Sequence, residues 1–497
     1  GGKTGGDGRR RSGKGWVRMG EASKKPQAFS MHLHETQAQS YDELLEHDTR
    51  PVPDFMRSFG DRNIPGPFEI PTRWYTDHDL HKVEVETIWK RKWQMACRVD
   101  HVAEIGDTYL YEVAGLSFII VRVGEDLIKG YWNSCLHRGV PLRQCSGRVD
   151  RLQCPFHGFT WGLDGKNLLI PHPHEFPHID REKFSLPEIQ VGVWQDFVFI
   201  NPDLEAGSLE DYLGELDADF IRSPFTGRQL SMHIAKIFPA NWKALQEAFL
   251  ESFHVITTHP QFAASGAADR CSDFGASGNV SRGIVPSGQT NEYVPYTPDE
   301  QEIFRLLNEF WDDEAHSEDY VLPEGVTARQ AMAERIRSTL RPRLGAAVDG
   351  ISDAELVDVI YYTVFPNFNP YGGFGPPLAY RFLPYGKDPE KSVMEVMFLT
   401  PVPEGAERQP PAQPIWLSED QEFTELEELG SFGAFIAQDS GNLRGIMKGL
   451  QNSQSGIVNL ARNYESKIRH FYAIYEEAMG LSAAEEVAAL KAANTRG

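Results

Sequence analysis

Cysteine is scarce in this chain, with five in 497 residues. That is too few for a disulfide scaffold and suits a reducing cytoplasm, the expected location. Long apolar runs are missing as well. No stretch approaches the roughly 18 consecutive apolar residues of a membrane-spanning helix, and Leu116 to Val121 has only the length of a strand. No apolar segment opens the chain, so no signal peptide is expected. Basic charge is in deficit, with 49 Lys and Arg against 71 Asp and Glu and a net charge of −22. Such a chain repels phosphate, which excludes a general nucleic-acid binder. The exception is local: residues 1–25 carry eight Lys or Arg and two acids. They read as a basic lead, either an expression remnant or a stretch ahead of a start at Met19 or Met31.

The rest is ordinary globular sequence, 41% hydrophobic and 24% charged. Five segments are expected. A flexible basic and polar lead covers 1–45, and a Pro-rich wrap with a helix from Asp77 to Trp93 covers 46–95. Short β-branched and aromatic strands, among them Thr108–Val113, Ser117–Val123 and Val193–Ile200, mark a small all-β domain over 96–204. A larger α+β unit covers 205–480, and 481–497 form a tail. In the larger unit Ile303, Leu306, Leu307, Phe310 and Trp311 make a core-facing helical stripe. Ser392–Thr400 reads as a strand. Tyr464 to Tyr475 define a last helix with Gly480 as its cap.

The small domain contains Cys135-Leu-His137, sixteen residues, then Cys154-Pro-Phe-His157. Four metal-ligand side chains come as two close pairs in Gly- and Pro-rich loops. The order Cys, His, Cys, His differs from a zinc finger, which pairs like with like along the chain. It is the order a 2Fe-2S cluster needs when two thiolates hold one iron and two imidazoles the other. A zinc ribbon variant is the alternative. Cys145 matches no ligand position, and Cys97 and Cys271 read as buried or inert thiols.

The larger unit contains Glu247-x3-Glu251-x2-His254-x4-His259. Five residues of straight helix turn about 140°, so the chain must bulge or end between the two histidines if both face one ion. Thr257, Thr258 and Pro260 favour an ending. Two imidazoles and a carboxylate form the triad that holds non-haem Fe(II) with open positions. By itself the pair also suits zinc or chance.

Taken together, Cys-x-His-Arg-Gly, Cys-Pro-x-His-Gly and the second motif resemble the catalytic α subunit of Rieske non-haem iron ring-hydroxylating oxygenases over roughly residues 70 to 480. The resemblance implies a Rieske 2Fe-2S domain ahead of a catalytic domain whose antiparallel sheet is wrapped by helices, a helix-grip, START-like fold. It implies Cys135, His137, Cys154 and His157 on the cluster. It implies His254, His259 and a distant Asp on a mononuclear iron. Asp439 fits the last by position, with Asp420 the competitor and a helix N-cap the plain alternative for Asp439. It implies that Glu251 bridges His254 to a cluster histidine of the neighbouring subunit. Two positions depart from the family pattern: Glu251 stands where Asp is usual, and Ala248 where Asn is frequent.

Electrons would come from NAD(P)H through a reductase, often with a ferredoxin. The assembly would be a homotrimer, or α3β3 with a small β subunit. The expected reaction is hydroxylation of a hydrophobic aromatic or polycyclic substrate with O2, by cis-dihydroxylation or monohydroxylation. Phe249, Phe253, Phe262, Phe365, Phe368, Tyr371 and Phe374 are pocket candidates. An aromatic acid or a demethylation substrate is the alternative. A non-catalytic Rieske electron carrier is the rival of another class, and a zinc hydrolase a further one.

Overall fold

The computed structural model describes residues 40–57, 64–266, 273–291, 294–311, 320–375, 377–403 and 405–494. Met19, Met31, Cys271 and the side chains of Phe310 and Trp311 fall outside the described residues.

Two sheets dominate. A seven-stranded antiparallel sheet runs in the order Gln94–Arg98, Phe197–Asn201, Glu188–Trp194, Leu127–Trp132, Leu116–Gly124, Asp107–Val113 and Gly147–Arg148. Beside it stands a small three-stranded sheet of Leu152–Gln153, Thr160–Trp161 and Asn167–Leu169. The larger sheet has eight strands, in the order Asp273–Ser277, Val280–Val285, Val359–Val364, Phe368–Gly372, Leu378–Pro384, Ser392–Pro401, Arg228–Phe238 and Ile415–Leu417. All of its pairings are antiparallel except the last.

The eight-stranded sheet is covered on both faces, which explains why its central strands read as continuous apolar runs. Successive side chains point to opposite faces. Leu378, Tyr380 and Phe382 join one core with Trp242, Leu245, Ile436, Phe471 and Tyr475 from the helices. Ala379, Met397 and Leu399 join a second core with Met95, Phe197 and Phe199 of the β domain and with Tyr41 and Leu44, so the end of the lead expected to be flexible instead forms a short packed helix, Tyr41–Leu45. The sheet is thus gripped between helices and the small domain.

Two sequence expectations change in detail. The run Val193–Ile200 reads as one strand but folds as a hairpin that turns at Gln195 and Asp196, with φ of 51° and 64°. Positive φ at both central residues is the primed turn that matches strand twist, usually signalled by Asn-Gly. Here tertiary contacts hold it. Gln195 Oε1 accepts the amides of Phe225 and Thr226, and Asp196 Oδ2 accepts that of Gly227. The helical region 298–346 contains separate helices, Glu300–Trp311 and Ala328–Leu344. Ile303 and Leu307 are buried against Met332, Leu356 and Val357, as a core stripe requires. The helix Ser466–Met479 ends at left-handed Gly480, with Tyr464 just ahead of it; the expected tail 481–497 instead contains a further helix, Ala483–Asn494, which buries Ala483 and Val487. No described helix is long and apolar enough to cross a membrane.

Candidate metal centres

The two cysteine–histidine loops are built to one backbone plan. Cys135 N–H donates to the Val140 carbonyl and Gly139 N–H to the Cys135 carbonyl, each at 2.9 Å. In the second loop Cys154 N–H donates to Phe159 at 2.8 Å and Gly158 N–H to Cys154 at 3.1 Å. Each loop closes through a left-handed glycine, Gly139 at φ 76° and Gly158 at φ 83°, a conformation that other residues rarely adopt. The histidine falls two residues after the cysteine in one loop and three after it in the other.

This plan brings like next to like. Cys135 and Cys154 are both buried and their thiols interact. The rings of His137 and His157 lie 4.8 Å apart. Burial raises the Cys135 thiol above its usual range, and the Cys154 sulfur adds to the shift. Adjacent thiolates therefore need a cation. The His137 Nδ1 is buried without a hydrogen-bond partner among the described residues, the condition of a nitrogen reserved for a metal. Two sulfurs together and two imidazoles together fit a cluster with one sulfur-held and one nitrogen-held iron. Cys145 is exposed. Burial pushes the Cys97 thiol up to about 12, leaving it inert.

The second constellation depends on a broken helix. Asn241 caps the helix Trp242–Glu247 by accepting the Lys243 amide. The chain then bends and resumes as one turn, Val255–Thr258. His254 opens that turn, and His259 closes it at φ −124°. The break lets both rings face Asp439, which lies near the end of the helix Gly430–Gly441 rather than at an N-cap. Asp439 Oδ1 is 3.1 Å from His254 Nε2 and 2.5 Å from His259 Nε2. The donor atoms of all three residues lie within 4.8 Å of one another. Asp420 is exposed and outside this group.

Outer partners fix both rings. Glu251 Oε1 sits 2.6 Å from His254 Nδ1, and its other oxygen accepts the His254 amide at 3.1 Å. Gln438 Oε1 sits 2.8 Å from His259 Nδ1 and also accepts from Gln261 at 2.7 Å. Each Nδ1–H donates outward and each Nε2 faces Asp439, as in histidines whose free ring nitrogen binds a metal while the other donates to a neighbouring acceptor. Burial alone would lower the His254 pKa, but Asp439 and Glu251 on its two nitrogens raise it to about 10. The same field favours a bound cation. Glu247 lies half-buried away from this group, where it accepts from Tyr75 at 2.9 Å and from Tyr472.

A cavity of about 120 Å³ opens beside the three residues. Of the pocket candidates, Phe249, Phe262 and Tyr371 line it, as does Ala248. Phe365 and Phe368 belong to the two cores, Phe374 packs on the helical core, and Phe253 is exposed and stacked on Tyr464. Sequence reasoning missed Tyr361, Tyr380, Phe432, Phe435, Ser252 and Gln438. Phe432, Phe435 and Asp439 are spaced i, i+3 and i+7 on one helix, a shared face that was there to be read. The described lining includes two carboxylates, Glu251 and Asp439, the imidazole of His254 between them, and no Lys or Arg.

Comparison with known proteins places these features. Residues 219–481 match the sequence model of a family described as ring hydroxylating alpha subunit (catalytic domain), and residues 92–187 match that of the Rieske [2Fe-2S] domain. The carnitine monooxygenase oxygenase subunit of Escherichia coli K12 is 29% identical over 204 residues, 40% of this chain and 54% of that protein. The anthranilate 1,2-dioxygenase large subunit of Acinetobacter baylyi is 30% identical over 203 residues, 39% and 43% respectively. Spinacia oleracea choline monooxygenase is 28% identical over 200 residues, 39% and 45%. The matched segments thus span about half the length of these relatives. Among solved structures, a quaternary ammonium Rieske monooxygenase with L-carnitine superposes with a TM-score of 0.57 at 19% identity, covering 84% of this chain and 97% of the other. Naphthalene 1,2-dioxygenase from Rhodococcus sp. bound to indole gives 0.56 at 20%, covering 83% and 94%. At these identities the superpositions speak for the fold.

Proposed function

The chain belongs to the ring hydroxylating alpha subunit family, with a Rieske [2Fe-2S] domain ahead of its catalytic domain, and on that premise we propose that it is the terminal oxygenase of a multicomponent Rieske system. The observation that carries the reading is the convergence of His254 Nε2 and His259 Nε2 on Asp439 at the cavity wall. In this reading His254, His259 and Asp439 hold a mononuclear Fe(II), and Cys135, His137, Cys154 and His157 hold the cluster. Together these groups supply dioxygen binding and single-electron delivery.

The chain's own residues set the conditions. Glu251 and Gln438 each accept an Nδ1–H, which fixes the tautomer that leaves Nε2 for the metal. Phe249, Phe262, Phe432 and Phe435 exclude water from the reacting end of the cavity. Asp439 is 5% exposed and His259 fully buried, while His254 is partly open to the cavity. A cluster on Cys135, His137, Cys154 and His157 would accept single electrons from NAD(P)H by way of a reductase, with or without a ferredoxin. Glu251 would stand between that cluster and the His254 iron site of a neighbouring subunit, in a head-to-tail trimer with or without a β subunit.

The substrate of this reading is a compact hydrophobic ring compound, oxidised by mono- or dihydroxylation. The mostly apolar lining and the modest volume support it. A lining without Lys or Arg among the described residues, whose one imidazole is already paired with Glu251 and Asp439, speaks against an aromatic acid. A second reading, a quaternary ammonium substrate, is favoured by the rings of Tyr361, Tyr371 and Tyr380. Neighbouring centroids there are 5.6–6.1 Å apart, and aromatic faces hold such cations. Carnitine and choline monooxygenases are among the relatives.

The test is iron, zinc and acid-labile sulfide per chain in anaerobically purified protein, then oxygen uptake with a reductase and a panel of neutral rings, aromatic acids and quaternary amines. About three irons and two sulfides are expected. About two irons that do not rise on reconstitution would make the chain an electron carrier. Zinc without sulfide would remove the reading altogether.

A further inference from the structure

Ser252 follows Glu251 directly and lines the cavity beside the candidate iron ligands. It is 5% exposed, and its hydroxyl has no hydrogen-bond partner among the described residues. A buried hydroxyl left unpaired gives up a hydrogen bond that water would have supplied, and such groups are rare in folded proteins. Local structure does not account for it. The Ser252 carbonyl accepts the Val255 amide at 3.1 Å, but the hydroxyl does not cap the turn that begins there. Both neighbours are committed elsewhere: Glu251 holds His254, and Phe253 stacks on Tyr464.

The surrounding lining narrows what could meet this hydroxyl. Phe249, Val255 and Phe435 offer no oxygen or nitrogen in their side chains, and the other hydroxyls of the lining, such as those of Ser265 and Tyr380, do not bond it. No Lys or Arg lines the cavity among the described residues, and its one basic ring, His254, is already held by Glu251 and Asp439, so an anionic group would find no free side-chain cation. A neutral acceptor on the bound molecule is the chemistry that fits. The volume of about 120 Å³ compares with the roughly 150 Å³ engineered cavity that takes up benzene, so the molecule is a single ring or something equally compact.

We infer that Ser252 is a specificity-determining residue whose hydroxyl donates to a neutral carbonyl oxygen on a compact ring substrate. The inference rests on reading this cavity as the substrate site of the oxygenase. A site built to hydrogen-bond one atom discriminates against analogues that lack it.

Acetophenone and α-methylstyrene test it, because they share shape and differ by oxygen against methylene. Calorimetric binding to the iron-loaded full chain should favour acetophenone by about tenfold, the range of one neutral hydrogen bond. Ser252→Ala should erase that preference, and Ser252→Thr, which keeps the hydroxyl, should retain it. Without ligand, Ser252→Ala should melt at the same temperature as wild type or higher, since the deleted group had no partner to lose. A preference that survives in Ser252→Ala overturns the inference. So do equal or undetectable binding of both compounds to wild type, and a lower melting temperature of the alanine variant. Iron content and the visible cluster spectrum of the same samples report on the oxygenase reading separately. Their absence from wild type sinks that reading, while their presence with an unchanged preference sinks the role of Ser252 alone.

Discussion

Glu251 and His254 stand three residues apart with Oε1 and Nδ1 at 2.6 Å, and the Glu251 side chain is only 11% exposed. The carboxylate touches both the ring and the amide of the same histidine. His254 is therefore oriented from within its own bend, and the longer glutamate side chain reaches it without distortion.

Replacing Glu251 by Gln keeps the acceptor and removes the charge. Fe(II) affinity should fall by about 10- to 100-fold, the usual cost of an outer partner, and the cluster's visible spectrum should be unchanged. Competition with a chelator measures the first and absorbance the second. Affinity equal to wild type would show that the Glu251 charge plays no part in holding His254.

Asp439→Ala removes the atom on which both Nε2 positions converge. The variant should retain about two irons and two sulfides per chain, losing the mononuclear metal only. Oxygen uptake should fall to background. If it keeps a third iron and normal turnover, the third ligand lies elsewhere. His137→Ala is the mirror case: the cluster spectrum disappears and the mononuclear iron stays.

Legibility in the sequence followed locality. Both cysteine–histidine loops and the pair His254 and His259 are short-range patterns whose spacing carries the geometry. Asp439 was reachable only through its position and its resemblance to a family pattern. Gln438, its neighbour, was missed because nothing in the sequence tells which of two adjacent polar residues will meet a ring about 180 positions away. Tyr361 and Tyr380 reach the cavity from two strands whose alternation shows which residues share a face but not which face meets the site. The turn at Gln195 and Asp196 was hidden for the same reason, since residues 225–227 hold it in place.

Glu247 gives a pH signature. Burial raises its pKa to about 7, against the lowering effect of the Tyr472 and Tyr75 hydroxyls. The folded state thus binds a proton that the unfolded chain releases near its ordinary 4.5. Between those two values folded protein holds more protons, so stability falls as pH rises through that window and levels off above about 7. The loss is on the order of 3 kcal/mol. Urea unfolding at pH 5 and pH 8 should show wild type losing stability and Glu247→Gln holding level. Parallel behaviour of the two proteins would assign the pH dependence to another group.

Gly158 offers a test of the cluster loop that touches no ligand. Its φ is +83°, and an added Cβ would meet nothing closer than 3.8 Å. Ala there is not blocked by space, so the cost is that of the left-handed backbone alone, about 1–2 kcal/mol. The loop can recover that cost by rotating Gly158 back to negative φ. Doing so breaks the Gly158 N–H bond to Cys154 and moves His157, the adjacent residue, away from His137. Gly158→Ala should therefore fold with a slightly lowered melting temperature and reduced sulfide per chain. Gly227→Ala, with a similar φ of +82° and no atom within 4 Å, should show the same thermal cost with full sulfide. Equal sulfide in the two variants would mean that the backbone at Gly158 does not set the cluster geometry.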